Sequence, residues 1–413
     1  MEFGPVIKNP VLDINKLVLQ GTMLNQSVQT VEGDSTADQA TTDLLAKKDP
    51  VIQEISVGMS GEEASLYTVS GTPPLSLPNS LGKPLTAWSV DVLPYQEGTG
   101  DPSPSNVRPI HGTDKLTITT AGKNLFDPVN YSAYLQSDGT YLAKAALFAS
   151  ILNAIPSECI GKRCVFSAWI DLRDSGNLTW AQVRANVNGV AVGGTIIQNG
   201  TSRISVVAFT PTSANDTIAL TYGSNGGNNM VVSSLQLEFG STATPYTPYL
   251  APSQTVLTLP STVYTATIGS DGGESRWGEV DLGTLSWMFF NIEGHYRFVA
   301  YPQGIKSFDS NLPANILCSS YAVDTANHVY NDVTDKRIAS GGGVLLVYDS
   351  DYSSADDFKT AMSGVQLVYE LATPTTFAVP SVTIPTPKGT ATTWATAEDG
   401  SVDSMVVTYV GKA

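Results

Sequence analysis

Ser404-Met405-Val406-Val407-Thr408-Tyr409-Val410 sets β-branched and aromatic side chains at period two, the spacing at which a strand presents one face to a core. The same pattern recurs in Lys115-Leu116-Thr117-Ile118-Thr119, in Ser202-Arg203-Ile204-Ser205-Val206 and in Val365-Gln366-Leu367-Val368-Tyr369-Glu370-Leu371. Between such runs 36 Gly and 24 Pro cut the chain into short apolar segments. That punctuation predicts an all-β, multi-domain protein of the sandwich or barrel kind.

At 413 residues the chain has room for about three domains of roughly 150 residues. No fixed-period repeat of the solenoid or propeller kind is visible. Gly71-Thr72-Pro73-Pro74 and Leu77-Pro78-Asn79-Ser80 are expected to break any regular element between Ser70 and Lys83. A second break runs from Ala243 to Pro252, where Pro245, Pro248 and Pro252 interleave with Tyr246 and Tyr249. The expected division is an anchoring and oligomerising arm (1–75), a linker with a first β segment (76–110), a jelly roll (111–252) and a C-terminal β domain (253–413).

In the arm, Ile14, Leu17, Leu24, Val28 and Val31 fall on steps of three, four and seven, with Gly21 in the remaining seam position. The stripe reads equally as a short oligomerising helix or as an amphipathic or extended segment. Near the other end, Asp349-Ser350-Asp351 opens like a calcium loop, but Ser354 stands where an EF-hand needs Gly and Thr360 where it needs Glu. The expectation there is a turn, then a short helix through Phe358 and Met362 ending at Gly364.

Composition narrows function. Charged residues make up 15% of the chain against the roughly 25% typical of soluble proteins. The net charge of −16 leaves no basic surface for a phosphate backbone, so nucleic acid is not an expected partner. Residues 111–252 hold 8 basic and 8 acidic side chains, a balance that suits an uncharged ligand. Three cysteines, Cys159, Cys164 and Cys318, cannot close a disulfide framework, which points to synthesis in a reducing cytoplasm. The N-terminus lacks a signal pattern and no apolar run nears the roughly 20 residues of a bilayer span, so neither export nor a membrane is expected.

The three histidines, His111, His295 and His328, show no metal-ligand spacing, and Cys159 to Cys164 has no second ligand pair. There is no G-x-S-x-G elbow, P-loop or dinucleotide fingerprint in strand–helix context. No enzyme and no cofactor is expected on these grounds, although a glycosidase carboxylate pair is a property of the fold that a sequence does not reveal. A sugar's apolar face stacks on exposed aromatics while its hydroxyls take side-chain hydrogen bonds. The neutral region offers Trp169, Trp180, Tyr222 and the Asn-rich segment with Asn225 and Asn228 for that chemistry. The competing reading places both tryptophans in the core.

Val90-Asp-Val-Leu-Pro-Tyr-Gln-Glu-Gly-Thr-Gly100-Asp-Pro-Ser-Pro-Ser-Asn-Val-Arg-Pro109-Ile110, followed by Gly122-Lys-Asn-Leu-Phe-Asp127, resembles a module of tail-associated and other virion proteins of phages and prophages of Gram-positive bacteria. Leu235-Gln-Leu-Glu238-Phe-Gly240-Ser-Thr-Ala-Thr-Pro-Tyr246 is similar to the end of the carbohydrate-binding-like jelly roll those proteins carry. Trp277 to Trp287, Thr360 to Pro374 and Val402 to Val410 resemble their C-terminal portion, so the resemblance spans about residues 85–413. It implies a surface-exposed virion structural protein, not an enzyme, in a tail fibre or baseplate that adheres to host-surface glycans. A capsid head fibre or decoration protein without an essential ligand is one alternative, and an envelope polysaccharide depolymerase is another. The symmetry of phage appendages, with the heptad-like stripe, suggests a homotrimer among other virion proteins. In such jelly rolls a structural calcium ion often ties the first to the last strand, and Asp127 and Glu238 are the matching positions.

Overall fold

A computed structural model describes residues 51–59, 62–79, 81–129, 141–144, 150–152, 154–173, 178–224, 229–292, 295–306, 315–324, 335–341 and 343–412. The expected stripe of Ile14, Leu17, Leu24, Val28 and Val31 lies outside them. The fold is all-β and multi-domain, built from antiparallel sheets with one short parallel pair, Ala322–Val323 beside Arg337–Gly341.

Its trunk is a sandwich whose strands come from distant parts of the chain. The larger sheet runs through Val51–Met59, Glu62–Gly71, Gly400–Lys412, Ala87–Gln96, Ala266–Gly269, Gly272–Asp281, Gln366–Phe377 and Ile316–Cys318, with Ile110–His111 paired to Ala87–Gln96. The smaller sheet runs Ser253–Val263, Thr113–Gly122, Gly389–Ala397, Leu75–Asn79. Met405, Val407 and Tyr409, alternate residues of the strand that opened the sequence reading, are buried with Trp88, Val90, Ile118 and Leu257 in the core these sheets share. Period two therefore acts as expected: one face of the strand is apolar and inside.

The expected boundaries cut through this trunk. Glu62–Gly71, assigned to the arm, pairs with Gly400–Lys412 from Ala64 opposite Lys412 to Gly71 opposite Met405. Thr113–Gly122, assigned to the jelly roll, pairs instead with Ser253–Val263 and Gly389–Ala397. Leu75–Asn79 is a strand where none was expected: Leu75 and Leu77 enter the core, and Pro78 is tolerated because the strand forms the sheet's edge.

Two lobes grow out of the trunk between paired strands. The jelly roll occupies residues 123–252, and the strands that bound it are hydrogen-bonded neighbours, Thr120 opposite Ser253. The other lobe occupies 282–365 and is bounded by Asp281 opposite Gln366, with the Leu282 N–H donating to the Val365 carbonyl at 2.9 Å. The second lobe packs a five-stranded sheet on the helix Ala355–Ala361, whose Phe358 ring stacks on Phe298 and meets Trp287 edge-on. Ser354 caps that helix by accepting from the Asp357 N–H, and Gly364 at φ +80° follows its end, as the sequence suggested.

The jelly roll is a sandwich of two sheets. One, the Trp180 sheet, has the order Val190–Gly193, Leu178–Val187, Thr217–Ser224, Ser150–Leu152, with Ile197–Gln198 also paired to Leu178–Val187. The other, the Trp169 sheet, has the order Ser202–Phe209, Cys164–Asp171, Asn229–Phe239, Tyr141–Lys144. Phe166, Ala168 and Ile170 from the second face Ala181, Val183 and Ala185 from the first across a core that also takes Trp394 from the trunk. Phe239 meets Trp394 edge-on, so lobe and trunk share packing.

Candidate functional site

Two of the recognised motifs meet in a buried polar knot. Asn124, 1% exposed, donates from Nδ2 to the carbonyls of Leu235 (2.9 Å) and Thr247 (3.1 Å), while its Oδ1 accepts from the Phe126 and Leu237 N–H groups. All of its hydrogen-bonding capacity is used, and it stitches the start of the lobe to its last strand and to the following connector. Gln236 extends the knot, donating to Glu238 Oε1 and accepting from the Thr247 N–H.

Glu238, the expected calcium position, belongs to this knot. Its Oε1 accepts from the Thr244 N–H at 2.8 Å and its Oε2 from the Thr244 hydroxyl at 2.7 Å, with the Lys123 ammonium 3.5 Å from Oε2. Asp127 accepts from the Val129 N–H and lines a separate pocket. Among the described residues no cluster of His, Cys, Asp or Glu is arranged to hold a metal ion.

The longest recognised motif builds an exposed loop around one guanidinium. Arg108 donates to the carbonyls of Glu97 (2.8 Å), Gly98 (3.0 Å) and Gly100, and Gly98 and Gly100 both have φ near +80°. Asn106 closes the tip by donating to Thr99 and Asp101. Only glycine adopts such φ values without strain, which accounts for the glycine spacing of the motif. The loop is tied to the second lobe by an ion pair between Asp101 and Arg337.

Aromatic placement separates the sugar-binding candidates. Trp169 is 41% exposed on the outer face of its sheet, with Ile204 (48%) directly opposite on one neighbouring strand and Ser233 on the other, where Val231 (39%) stands opposite Asp171. Trp180 also faces outward, because the alternate residues Ala181, Val183 and Ala185 are the buried ones. A Cβ added to Gly223, its cross-strand partner, would fall 2.3 Å from Trp180 Nε1, so the indole rests on that bare backbone. Neither tryptophan belongs to the core of the sandwich.

Tyr222 lies opposite Ala181 and packs against the core, which puts it on the other side of the sheet from Trp180. The two therefore do not form one stacking surface. Asn225 and Asn228 lie outside the described residues. Sequence reasoning passed over Gln182, Arg184 and Thr221, which share the Trp180 face. The signal was present: Trp180-x-Gln182-x-Arg184-x-Asn186 is the polar half of an alternating strand.

A pocket of about 270 Å³ lies between the lobe and its return connector, lined by Asp127, Ile155, Pro156, Glu158, Tyr249 and Pro252. Burial, then the nearby charges of Asp127 and Glu158, push the Tyr249 hydroxyl above its ordinary value. The thiols are sequestered. Cys159, Cys164 and Cys318 are free and fully buried, and the Cys164 thiol together with burial drives Cys159 far up. Burial raises Cys318 to about 11, so neither Cys159 nor Cys318 is a nucleophile at neutral pH.

No family model matches the chain, and no curated protein matches it. Among solved structures it is faintly similar to the N-terminal CBM22-1-CBM22-2 tandem domain from Paenibacillus barcinonensis Xyn10C, at 7% identity over 89% of this chain and 99% of that one, with a TM-score of 0.18.

Proposed function

We propose that the protein is a structural component of a phage particle, exposed on its surface, that adheres to host-surface glycans through the jelly roll. The observation that carries the reading is the outward placement of both jelly-roll tryptophans, Trp169 and Trp180, on sheet faces where a sugar ring can stack. The particle assignment rests on the sequence motifs, and tail fibre or baseplate is its preferred place. A homotrimer held by residues 1–50 raises the avidity of weak single sites. Host wall polysaccharide is the probe: the intact protein is retained on it, and Trp169→Ala with Trp180→Ala is not. Equal retention of both proteins rules out adhesion by these faces and leaves a head fibre or decoration protein. Light scattering with and without residues 1–50 tests the trimer, which a monomer in both cases removes.

A second reading has one observation in its favour. Asp127 and Glu158 share a pocket, as the carboxylates of a polysaccharide depolymerase do. That reading requires new reducing ends from wall polysaccharide and their loss in Asp127→Asn or Glu158→Gln. Retention without cleavage excludes it.

A further inference from the structure

On the Trp180 face, polar groups are buried without a partner. Thr221 is 6% exposed, and its hydroxyl makes no hydrogen bond. The Nε of Arg184 is likewise buried and unbonded, and no carboxylate among the described residues pairs with its guanidinium. Register puts them together: Thr221 stands opposite Gln182, Gly223 opposite Trp180, and Arg184 one outward position beyond Gln182 on the same strand. Buried donors and acceptors left unpaired are costly, so native structures rarely keep them without a reason.

Glycines shape the strip. On one side Gly223 lets the Trp180 indole lie down. On the other, a Cβ at Gly193 would sit 3.3 Å from Gln182 Oε1, so the Gln182 amide lies over that strand's backbone. Trp180 to Arg184 spans roughly 13 Å along the strand, room for more than one sugar ring. The row thus offers a stacking surface, an amide, a hydroxyl and, at its end, a cation with no counter-charge among the described residues.

We propose that this strip, Trp180, Gln182, Arg184 and Thr221, binds an acidic saccharide, with the ring on Trp180 and a carboxylate or phosphate substituent on Arg184. The inference rests on the adhesion reading and deepens it. A planar guanidinium is suited to such oxyanions because it donates two parallel hydrogen bonds. The overall neutrality of residues 111–252 conceals this local charge: among the described acidic side chains, Asp171 pairs with Arg173, Asp216 is held by backbone N–H groups and Glu238 lies beside Lys123.

The test is an array of uronate-bearing and phosphate-bearing oligosaccharides beside carboxyl-reduced and dephosphorylated twins, probed with the full chain and with Arg184→Gln, Arg184→Lys and Trp180→Ala. Near-ultraviolet circular dichroism verifies that each variant is folded. The acidic members should bind at least about tenfold tighter than their neutral twins, with added salt eroding the difference. Arg184→Gln should abolish the preference, Arg184→Lys should keep part of it, and Trp180→Ala should weaken binding of both members of each pair. Equal binding of twins, unaffected by Arg184→Gln, overturns the inference and leaves the adhesion reading intact. Absence of binding anywhere on the array overturns both. Which acidic series responds distinguishes carboxylate from phosphate.

Discussion

The trunk and the jelly roll are both β-sandwiches, yet they use tryptophan in opposite ways. The trunk buries Trp88 and sends Trp394 into the junction with the lobe, whereas the jelly roll fills its interior with aliphatic residues and three phenylalanines, Phe126, Phe166 and Phe209, and turns Trp169 and Trp180 outward. Two phenylalanine rings, Phe126 and Phe166, meet edge-on in that interior. Large aromatics are the strongest single contributors to a core. The tryptophans thus add to the packing of the trunk and of its junction, whereas in the jelly roll they are left for the outer faces of the sheets.

The largest expected effect breaks or keeps this contrast directly. Trp88→Ala should destabilise the trunk by about 3–5 kcal/mol, while Trp169→Ala should change the stability of the lobe by less than about 0.5 kcal/mol. Urea unfolding followed by lobe-specific and trunk-specific probes reads both, and comparable losses would erase the distinction. Next in size, Tyr222→Ala should cost about 1–3 kcal/mol through lost core packing and leave glycan retention unchanged. A retention defect at constant stability would return Tyr222 to the binding surface.

Arg108→Ala sharpens the comparison from the trunk side. Removing the guanidinium leaves the carbonyls of Glu97, Gly98 and Gly100 without their shared donor, a loss of about 1–3 kcal/mol confined to the loop. Limited proteolysis should then nick residues 97–106 while the rest of the trunk stays resistant. The smallest effect is a pH response of the lobe. Burial raises the Asp216 carboxyl, but the Asn188, Thr212 and Ser213 N–H groups and the Thr212 hydroxyl outweigh it and hold the group below its ordinary value. A folded value below the unfolded one, about 3.9, means full stabilisation above that pH and loss as the pH falls through the folded value. Acid unfolding of the lobe should therefore steepen below about pH 4, and Asp216→Asn should flatten that limb.

Strands were legible because period two is a local property. Met405, Val407 and Tyr409 could be read as one buried face without knowing what they face. Partners were not legible: nothing within residues 62–71 reports that they pair with residues 400–412, and so the trunk was divided among four expected segments. The proline-rich stretch misled for a related reason, since Pro78 forbids a central strand but not the edge that Leu75–Asn79 becomes. At the candidate site the choice of face was within reach, because Tyr222 shares its parity with Ile218 and Leu220 while Trp180 shares its own with Gln182 and Arg184. Trp169 gave no such warning, since Val165 and Ser167 on its face lie buried.

Each lobe leaves and rejoins the trunk at adjacent positions of one antiparallel pair, Thr120 beside Ser253 and Asp281 beside Gln366. To the trunk, a whole lobe is therefore topologically equivalent to a hairpin turn, whatever its length. Closing a long excursion costs only slightly more than closing a short one, because the entropy grows with the logarithm of length. A body of another length can thus replace the lobe between Gly122 and Ser253 without changing the strand pairing of the frame, provided Trp394, which packs on Phe239, keeps a partner.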